Sequence, residues 1–148
     1  MSEVILIGIT QNKGGDIVNM DSVDAIKGKG LLRDRKYADK NSKFKQLTLI
    51  EIENIDYYNH TLDQPIKPLY FRRNIVTKGV NLNTLVNKEF FIGEVRLKGH
   101  DLCRPCKYLQ SLLEKKNFVK ELLLKGGLRC EILTSGKIFV NDLIKIND

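Results

Sequence analysis

Glu89-Phe90-Phe91-Ile92-Gly93-Glu94-Val95-Arg96-Leu97-Lys98-Gly99 decides the fold class. Phe91, Gly93, Val95 and Leu97 alternate with the charged Glu94, Arg96 and Lys98, the period-two signature of a half-buried strand. No helical stripe fits this run. Working outward, Glu3 to Thr10 is a β-branched run and predicts a strand, closed by a turn at Gln11-Asn12-Lys13-Gly14-Gly15-Asp16. Residues 21–45, polar and broken by Gly28 and Gly30, predict a long loop with a strand edge. Gln46 to Glu53, with Leu47, Leu49, Ile50 and Ile52, predicts a second strand. Pro65 and Pro68 argue against a continuous helix over 54–68, and Leu69-Tyr70-Phe71 is expected to be extended. Asn81 to Asn87 fits a short helical turn with Asn81 or Asn83 as its cap.

A helix is expected after Cys103. Pro105 suits its first position, and Cys106, Leu109, Leu112 and Leu113 share a stripe. Asn117 can start a further turn or two, ended by Gly126-Gly127. Leu128 to Leu133 and Lys137 to Ile146 predict two strands joined as a hairpin by Thr134-Ser135-Gly136. Strands do not alternate with long helices, so a doubly wound α/β sheet does not fit. The expected fold is mainly β: one domain over residues 1–148, a small closed antiparallel or mixed β-barrel with short helical insertions.

Composition agrees. The 148 residues are 42% hydrophobic and 29% charged, a globular balance long enough to bury a core without disulfide or metal support. No apolar run reaches membrane-spanning length, and Met1-Ser2-Glu3 lacks a basic signal region; a cytoplasmic chain with reduced thiols is expected. The net charge of +7 is unevenly spread. Residues 28–48 carry +5, residues 72–88 carry +4 and residues 103–120 carry +4, with acidic stretches between them. Brought together, the three basic blocks would form an anion-attracting cleft; left apart, they are solvated faces.

Cys103-Arg104-Pro105-Cys106 is the sharpest local motif. It fits a zinc site needing two more ligands, with Cys130 and His100 as candidates, a redox pair, or a single thiolate at Cys106 favoured by a helix start and by Arg104 and Lys107. It equally fits a cysteine that opens the helix's apolar stripe and packs. Cys130, alternating with Arg129 and Glu131, reads as core. Arg72-Arg73-Asn74 can grip phosphate or carboxylate, and Thr77-Lys78-Gly79 adds a hydroxyl and an ammonium. A surface ion-pair cluster fits the same residues, and Asp34 between Arg33 and Arg35 can pair with both. No Walker loop, helix-turn-helix, KH loop or RRM stacking motif is present. Tyr57, Tyr58, Tyr70 and Phe71 keep open a barrel that stacks bases.

Taken in order, these pieces resemble the MOSC domain family, named for the C-terminal domain of molybdenum cofactor sulfurase. Val4 to Ile9 resembles its opening strand. Gly30-Leu31-Leu32-Arg33-Asp34-Arg35-Lys36-Tyr37 resembles its Gly-Leu-x-Gly-Asp-x-x-Tyr/His segment. Arg73 to Leu85, continuing into Phe91-Ile92-Gly93, is similar to its Arg-Glu-Asn-Ile/Leu-x-Thr-x-Gly signature, and Leu102 to Leu109 looks like its cysteine motif. Gly127 to Leu133 and Gly136 to Asp142 resemble its closing strands. Two departures stand out: Arg33 and Asn141 sit where the family usually has glycine before an aspartate, positions where glycine relieves backbone strain. Asparagine tolerates left-handed backbone better than arginine does.

The resemblance implies a β-barrel that binds molybdenum cofactor (molybdopterin) or carries sulfur for metal–sulfur centres. It implies Cys106 as the catalytic or metal-ligating thiolate, with Cys103 as an accessory thiol. Arg72, Arg73, Asn74, Thr77, Lys78 and Asp34 are the expected cofactor-binding residues. If the protein is an enzyme, it is expected to be sulfurtransferase-like or a molybdenum-dependent oxidoreductase. The expected partner is a sulfur donor such as a cysteine desulfurase. No membrane partner is expected. Pyridoxal phosphate binding enters by family association alone, since the chain shows no lysine site for it and no desulfurase domain. The alternative is a non-catalytic barrel for an anionic partner such as nucleic acid.

Overall fold

The computed structural model describes residues 1–104 and 124–146. The helix expected after Cys103, with Cys106 on it, lies outside the described residues. The described strands are β1 (Glu3–Ile9), β2 (Val18–Met20), β3 (Ser22–Ile26), β4 (Gly30–Leu31), β5 (Leu47–Glu51), β6 (Ile75–Lys78), β7 (Glu89–Ile92), β8 (Val95–Leu102), β9 (Leu128–Ile132), β10 (Gly136–Phe139) and β11 (Ile144–Ile146). One α-helix, α1 (Ile52–Asn59), and 3₁₀ turns at Pro68–Phe71 and Leu82–Leu85 complete the described elements.

Eight strands form one curled sheet in the order β11-β7-β8-β9-β5-β6-β1-β2, and β10-β3-β4 form a second. Every strand pair is antiparallel except β5 with β6. The large sheet is mixed, as expected, but it is an open half-barrel and not a closed one, with β11 and β2 at its ends. A single bridge between Glu3 and Leu143 stitches the start of β1 to the segment before β11. Backbone bonds of 2.8–2.9 Å from Asn141 N to Val4 O, Val4 N to Asp142 O and Ile144 N to Ser2 O reinforce it.

The main core lies inside the curl and includes Val4, Ile7, Leu49, Ile75, Phe90, Ile92, Val95, Leu97, Leu128 and Ile132. A second cluster of Ile50, Ile55, Tyr58, Ile66, Phe71 and Val76 sits on the other face, under α1. β5 is therefore buried on both sides, which explains why its apolar pattern alternates only loosely. Each large side chain buried there contributes roughly 1.5–3 kcal/mol.

Several expectations change on contact with the structure. Residues 21–45 hold two regular strands, β3 and β4, whose short lengths hid them among polar residues. Residues 52–59 are helical; α1 ends before Pro65, and Pro68 opens the following 3₁₀ turn at its first position. α1 turns Ile52, Ile55 and Tyr58 onto the second core, a stripe of three residues too short to stand out from the loosely alternating run before it. Leu69-Tyr70-Phe71 is thus helical, not extended. Asn81 occupies the N-cap position of the next 3₁₀ turn without a side-chain capping bond.

The run 89–99 is a hairpin, not one strand. Ile92 pairs with Val95 across Gly93-Glu94, and Gly93 has φ 57°, as a two-residue turn requires at its first central position. The turn resets the alternation, so Phe90 and Ile92 face the core in place of Phe91. The Thr134-Ser135-Gly136 link is not a hairpin turn. β9 pairs with β8 and β5, whereas β10 crosses to β3. The link's hydroxyls hold other segments: Thr134 Oγ1 accepts Arg96 N–H and Ser135 Oγ accepts Lys27 N–H, both at 2.9 Å.

Candidate anion-binding site

β5 and β6 run in parallel, and β1 lies antiparallel to β6. The entry ends of β5 and β6 meet the exit of β1, and this corner is held by Asn74. Its Oδ1 accepts the Thr48 N–H and the Thr48 hydroxyl, each at 3.1 Å. Its Nδ2 donates to Gly8 O at 3.2 Å, and its own N–H donates to Thr48 Oγ1 at 3.0 Å. Gly8 N–H donates to Asn74 O at 2.7 Å. The amide that the sequence suggested for a heterocycle edge is thus committed to three strands.

Asp34 brings the first basic block to this corner. It is 7% exposed, and its carboxylate accepts the N–H of Thr10 at 3.0 Å and of Lys36 at 3.3 Å. Its hydrogen-bond partners are backbone amides, and it forms no ion pair with the arginine side chains beside it. Arg35 N–H also donates to Thr10 O at 2.7 Å. The loop turns at Arg33, whose φ of 71° is left-handed; Asn141 has φ 76°. Both departures from glycine therefore fall where glycine's freedom is needed.

Two adjoining hollows open here, the first tight and the second wider. The smaller is lined by Gly8, Thr10, Asp34, Arg35, Arg72 and Asn74 among others; the larger by Cys103, Arg104 and Arg129. Lys36, Thr48 and Arg73 line both. Asp34 is the single carboxylate residue among all these lining residues, against six cationic ones. The 28–48 and 72–88 blocks converge, joined by Arg104 from the third.

Arg72 caps the 3₁₀ turn in left-handed backbone (φ 64°) and donates from Nη2 to Gly15 O at 3.0 Å. Arg73 donates from Nε to Gly126 O at 2.8 Å and from Nη2 to Arg104 O at 3.4 Å. Arg129 is held by a two-pronged pairing with Asp101. Its guanidinium also lies 5.6 Å from the Phe44 ring centre. Burial, then the charges of Arg35 and Arg73, push the Lys36 ammonium below the usual lysine value, while Cys103 and Asp34 pull it back up. Cys103 is 6% exposed. Burial raises its pKa above the ordinary thiol range even though Arg73, Arg129 and Lys36 oppose that rise.

Thr77 and Lys78 do not join this group. Thr77 is fully buried and donates its hydroxyl to Ile50 O at 3.3 Å. Lys78 is exposed at the far end of β6, about 13 Å from Asn74 by strand rise. Cys130 is fully buried, as expected of core. Tyr58 and Phe71 pack against each other edge to face at 6.2 Å in the second core, which removes two of the four aromatics considered for base stacking. Among the described residues no three His, Cys, Asp or Glu side chains gather as a metal site, and His100 bonds Glu131 at 2.8 Å. No described helix is long and apolar enough to cross a membrane. The sequence reading passed over Arg35, Lys36, Thr48 and Arg129 as individual residues; the density of cations in 28–48 was the signal for the first two.

Among solved structures, the YuaD protein from Bacillus subtilis superposes with TM-score 0.79 at 18% identity, covering 97% of this chain and 94% of that one. YiiM from Geobacillus stearothermophilus gives TM-score 0.79 at 12% identity, covering 100% of this chain and 76% of that one. YiiM from Escherichia coli gives 0.71 at 16%, covering 99% and 70%. These likenesses show the fold. No curated protein matches in sequence. The MOSC domain profile matches residues 33–145, which includes Asp34, the five site arginines and the cysteine motif, and on that match the chain belongs to the MOSC domain family.

Proposed function

We propose that the chain holds a phosphate-bearing molybdenum cofactor at this cationic corner, or relays sulfur to one, with Cys106 as the metal- or sulfur-binding thiolate. The MOSC family is associated with molybdenum cofactor binding. The observation that carries the reading is the convergence of Arg35, Lys36, Arg72 and Arg73 from two distant sequence blocks around one hollow, where the one carboxylate among the described lining residues, Asp34, is occupied by backbone amides. Such a donor set fits a phosphate. When bound, the cofactor supplies a metal held by a dithiolene.

In this reading Arg35, Lys36 and Arg72 hold the phosphate. Arg73, with two donors committed to backbone carbonyls, adds charge and fixes the wall. Asn74 keeps the three strands in register beneath them. Cys103, buried and with its thiol raised by that burial, stays protonated near neutral pH and lies beside the site as an accessory thiol. For sulfur relay, Cys106 thiolate attacks the outer sulfur of a donor persulfide, the donor S–S bond breaks, and the donor departs as a thiolate. A cysteine desulfurase is a donor of that kind.

The test is intact mass spectrometry, native and denaturing, with molybdenum analysis on protein purified without reductant from a cofactor-making host. A molybdopterin-sized adduct or a gain of one sulfur, lost in Cys106→Ser and retained in Cys130→Ser, is expected. A chain that remains bare after incubation with cofactor and a sulfur donor overturns the reading.

A further inference from the structure

β8 carries one residue more than its neighbour can pair. Lys98 lies opposite Glu131 and Gly99 opposite Cys130, but the next pairing is Asp101 with Arg129, so His100 is the extra residue of a bulge. In a regular strand Leu97, Gly99 and residue 101 would all face the core. The bulge resets that alternation: Leu97 is buried in the main core and Leu102 packs against it, while His100 and Asp101 both reach partners on β9.

Two polar pairs therefore stand side by side. His100 Nε2 meets Glu131 Oε1 at 2.8 Å, with the imidazole side chain only 8% exposed. The two-pronged Arg129–Asp101 pair is far more open, its side chains 39% and 41% exposed. Phe44 spans both pairs. Its ring sits edge-on to the imidazole at 5.5 Å between centres and lies 5.6 Å from the Arg129 guanidinium carbon. The Lys43 ammonium is 5.4 Å from the same ring. The loop that delivers Phe44 is pinned by Asn41, whose Nδ2 donates to Lys29 O and Lys36 O, each at 2.7 Å. Ion pairs as open as Arg129–Asp101 hold their side chains weakly, and a fixed arginine loses rotamer entropy. Asp101 alone is a poor anchor; a ring over the guanidinium and a locked bulge supply the rest.

We infer that His100 is a positioning residue for the thiol side of the site: bonded to Glu131 and packed against Phe44, it locks the bulge that aims Asp101 and the ring that backs Arg129, and so fixes that cation beside Cys103. His100 lines neither hollow, whereas Arg129 and Cys103 line the wider one together, so His100 acts through Arg129. Arg129 is also among the cations that oppose the rise of the Cys103 thiol. The inference rests on the proposed function only for the use made of that cation.

The experiment follows labelling of Cys103 by iodoacetamide against pH, read by peptide mapping, on the full chain with no cofactor added. Below the thiol's pKa the rate follows the thiolate fraction. Arg129→Gln is expected to move the profile to higher pH and to slow labelling about threefold at a fixed pH. His100→Ala and Phe44→Leu should each slow it about twofold, and neither should slow it further once Arg129 is glutamine. His100→Gln keeps a donor for Glu131 and Phe44→Tyr keeps the ring, so both should label like the wild type. Phe44 is 39% exposed, so Phe44→Leu carries the test if His100→Ala does not fold.

Equal slowing with and without Arg129 overturns the inference, because loosened packing would then act on Cys103 directly. So does an unchanged profile in Arg129→Gln or in Phe44→Leu. Faster labelling in Phe44→Leu, the mark of an opened core, overturns it too. The reagent involves neither molybdenum nor a sulfur donor, so the outcomes separate. A chain that captures neither cofactor nor sulfur yet shows this coupling loses the proposed function and keeps the positioned cation. A chain that captures them without the coupling keeps the function and loses this inference.

Discussion

The two ends of the parallel pair β5 and β6 differ in charge: the entry end is cationic, and the exit end mixes two carboxylates with Lys78. At their entry end stand Arg72, Arg73 and Lys36 around Asn74 and Thr48. At their exit end stand Glu51 and Glu53. Glu51 accepts Leu82 N–H at 2.6 Å and Asn54 Nδ2–H at 2.6 Å, and Glu53 accepts Gly79 N–H at 2.9 Å. Strand dipoles are too small to cause this polarity, so it comes from the side chains the adjoining loops deliver. The carboxylates at the exit end are used by the chain's own amides, whereas the cations at the entry end keep donors facing open space. Arg73 and Lys78, close in sequence, fall on opposite sides of that divide.

The largest expected effect tests the polar stitching. Asn74→Ala removes bonds to β1 and β5 together and should cost about 2–4 kcal/mol in denaturant unfolding. Thr77→Val, at the other end of the same strand, removes one bond and should cost less than about 1 kcal/mol. Similar losses would erase the asymmetry.

Next in size is ligand affinity. Arg72→Ala should weaken a phosphate-bearing ligand by about 1.5–3 kcal/mol, and Lys78→Ala should have little effect, in the same equilibrium titration. Loss in both would return Lys78 to the site.

Backbone strain gives a smaller effect of opposite sign. Arg33→Gly should stabilise the chain by about 1 kcal/mol, seen as a rise in melting temperature, because it relieves left-handed backbone. Asn141→Gly should gain less, since asparagine already tolerates that geometry.

The smallest is a pH dependence at the acidic end. Burial, followed by the charge of Glu53, raises the Glu51 carboxyl above the usual glutamate value, against the bonds from Leu82 and Asn54. A raised acid favours the folded state when protonated. Its contribution is complete below the ordinary glutamate range and is lost as pH rises through the raised value. Glu51→Gln should flatten stability against pH across that acidic window and leave the slope elsewhere unchanged. An unchanged profile would show that Glu51 is not desolvated.

Much of the fold was legible because it is local. The β-branched run of β1, the alternation in 89–99 and the punctuation at Gly93 are short-range signals. Elements that failed to show were those whose stability comes from elsewhere. α1 buries only Ile55 and Tyr58, β4 is two residues long, and β10 leaves its sequence neighbour β9 for β3. The site divides in the same way. Asp34, Arg72, Arg73, Asn74 and Cys103 were singled out and do meet at one corner. Asp34 and Asn74, read as ligand-facing groups, spend their polar atoms on the frame.

By itself the sequence determined the family, the β-rich class, the core place of Cys130 and the two positions where a missing glycine leaves left-handed strain. These depend on residue type, order and spacing. Only the tertiary structure decided which basic blocks share a hollow, that Arg73 faces the hollows and Lys78 does not, and that the sheet stays open. Those outcomes rest on bonds between residues far apart in the chain, Thr10 to Asp34, Thr48 to Asn74 and Arg73 to Gly126, which no local pattern encodes.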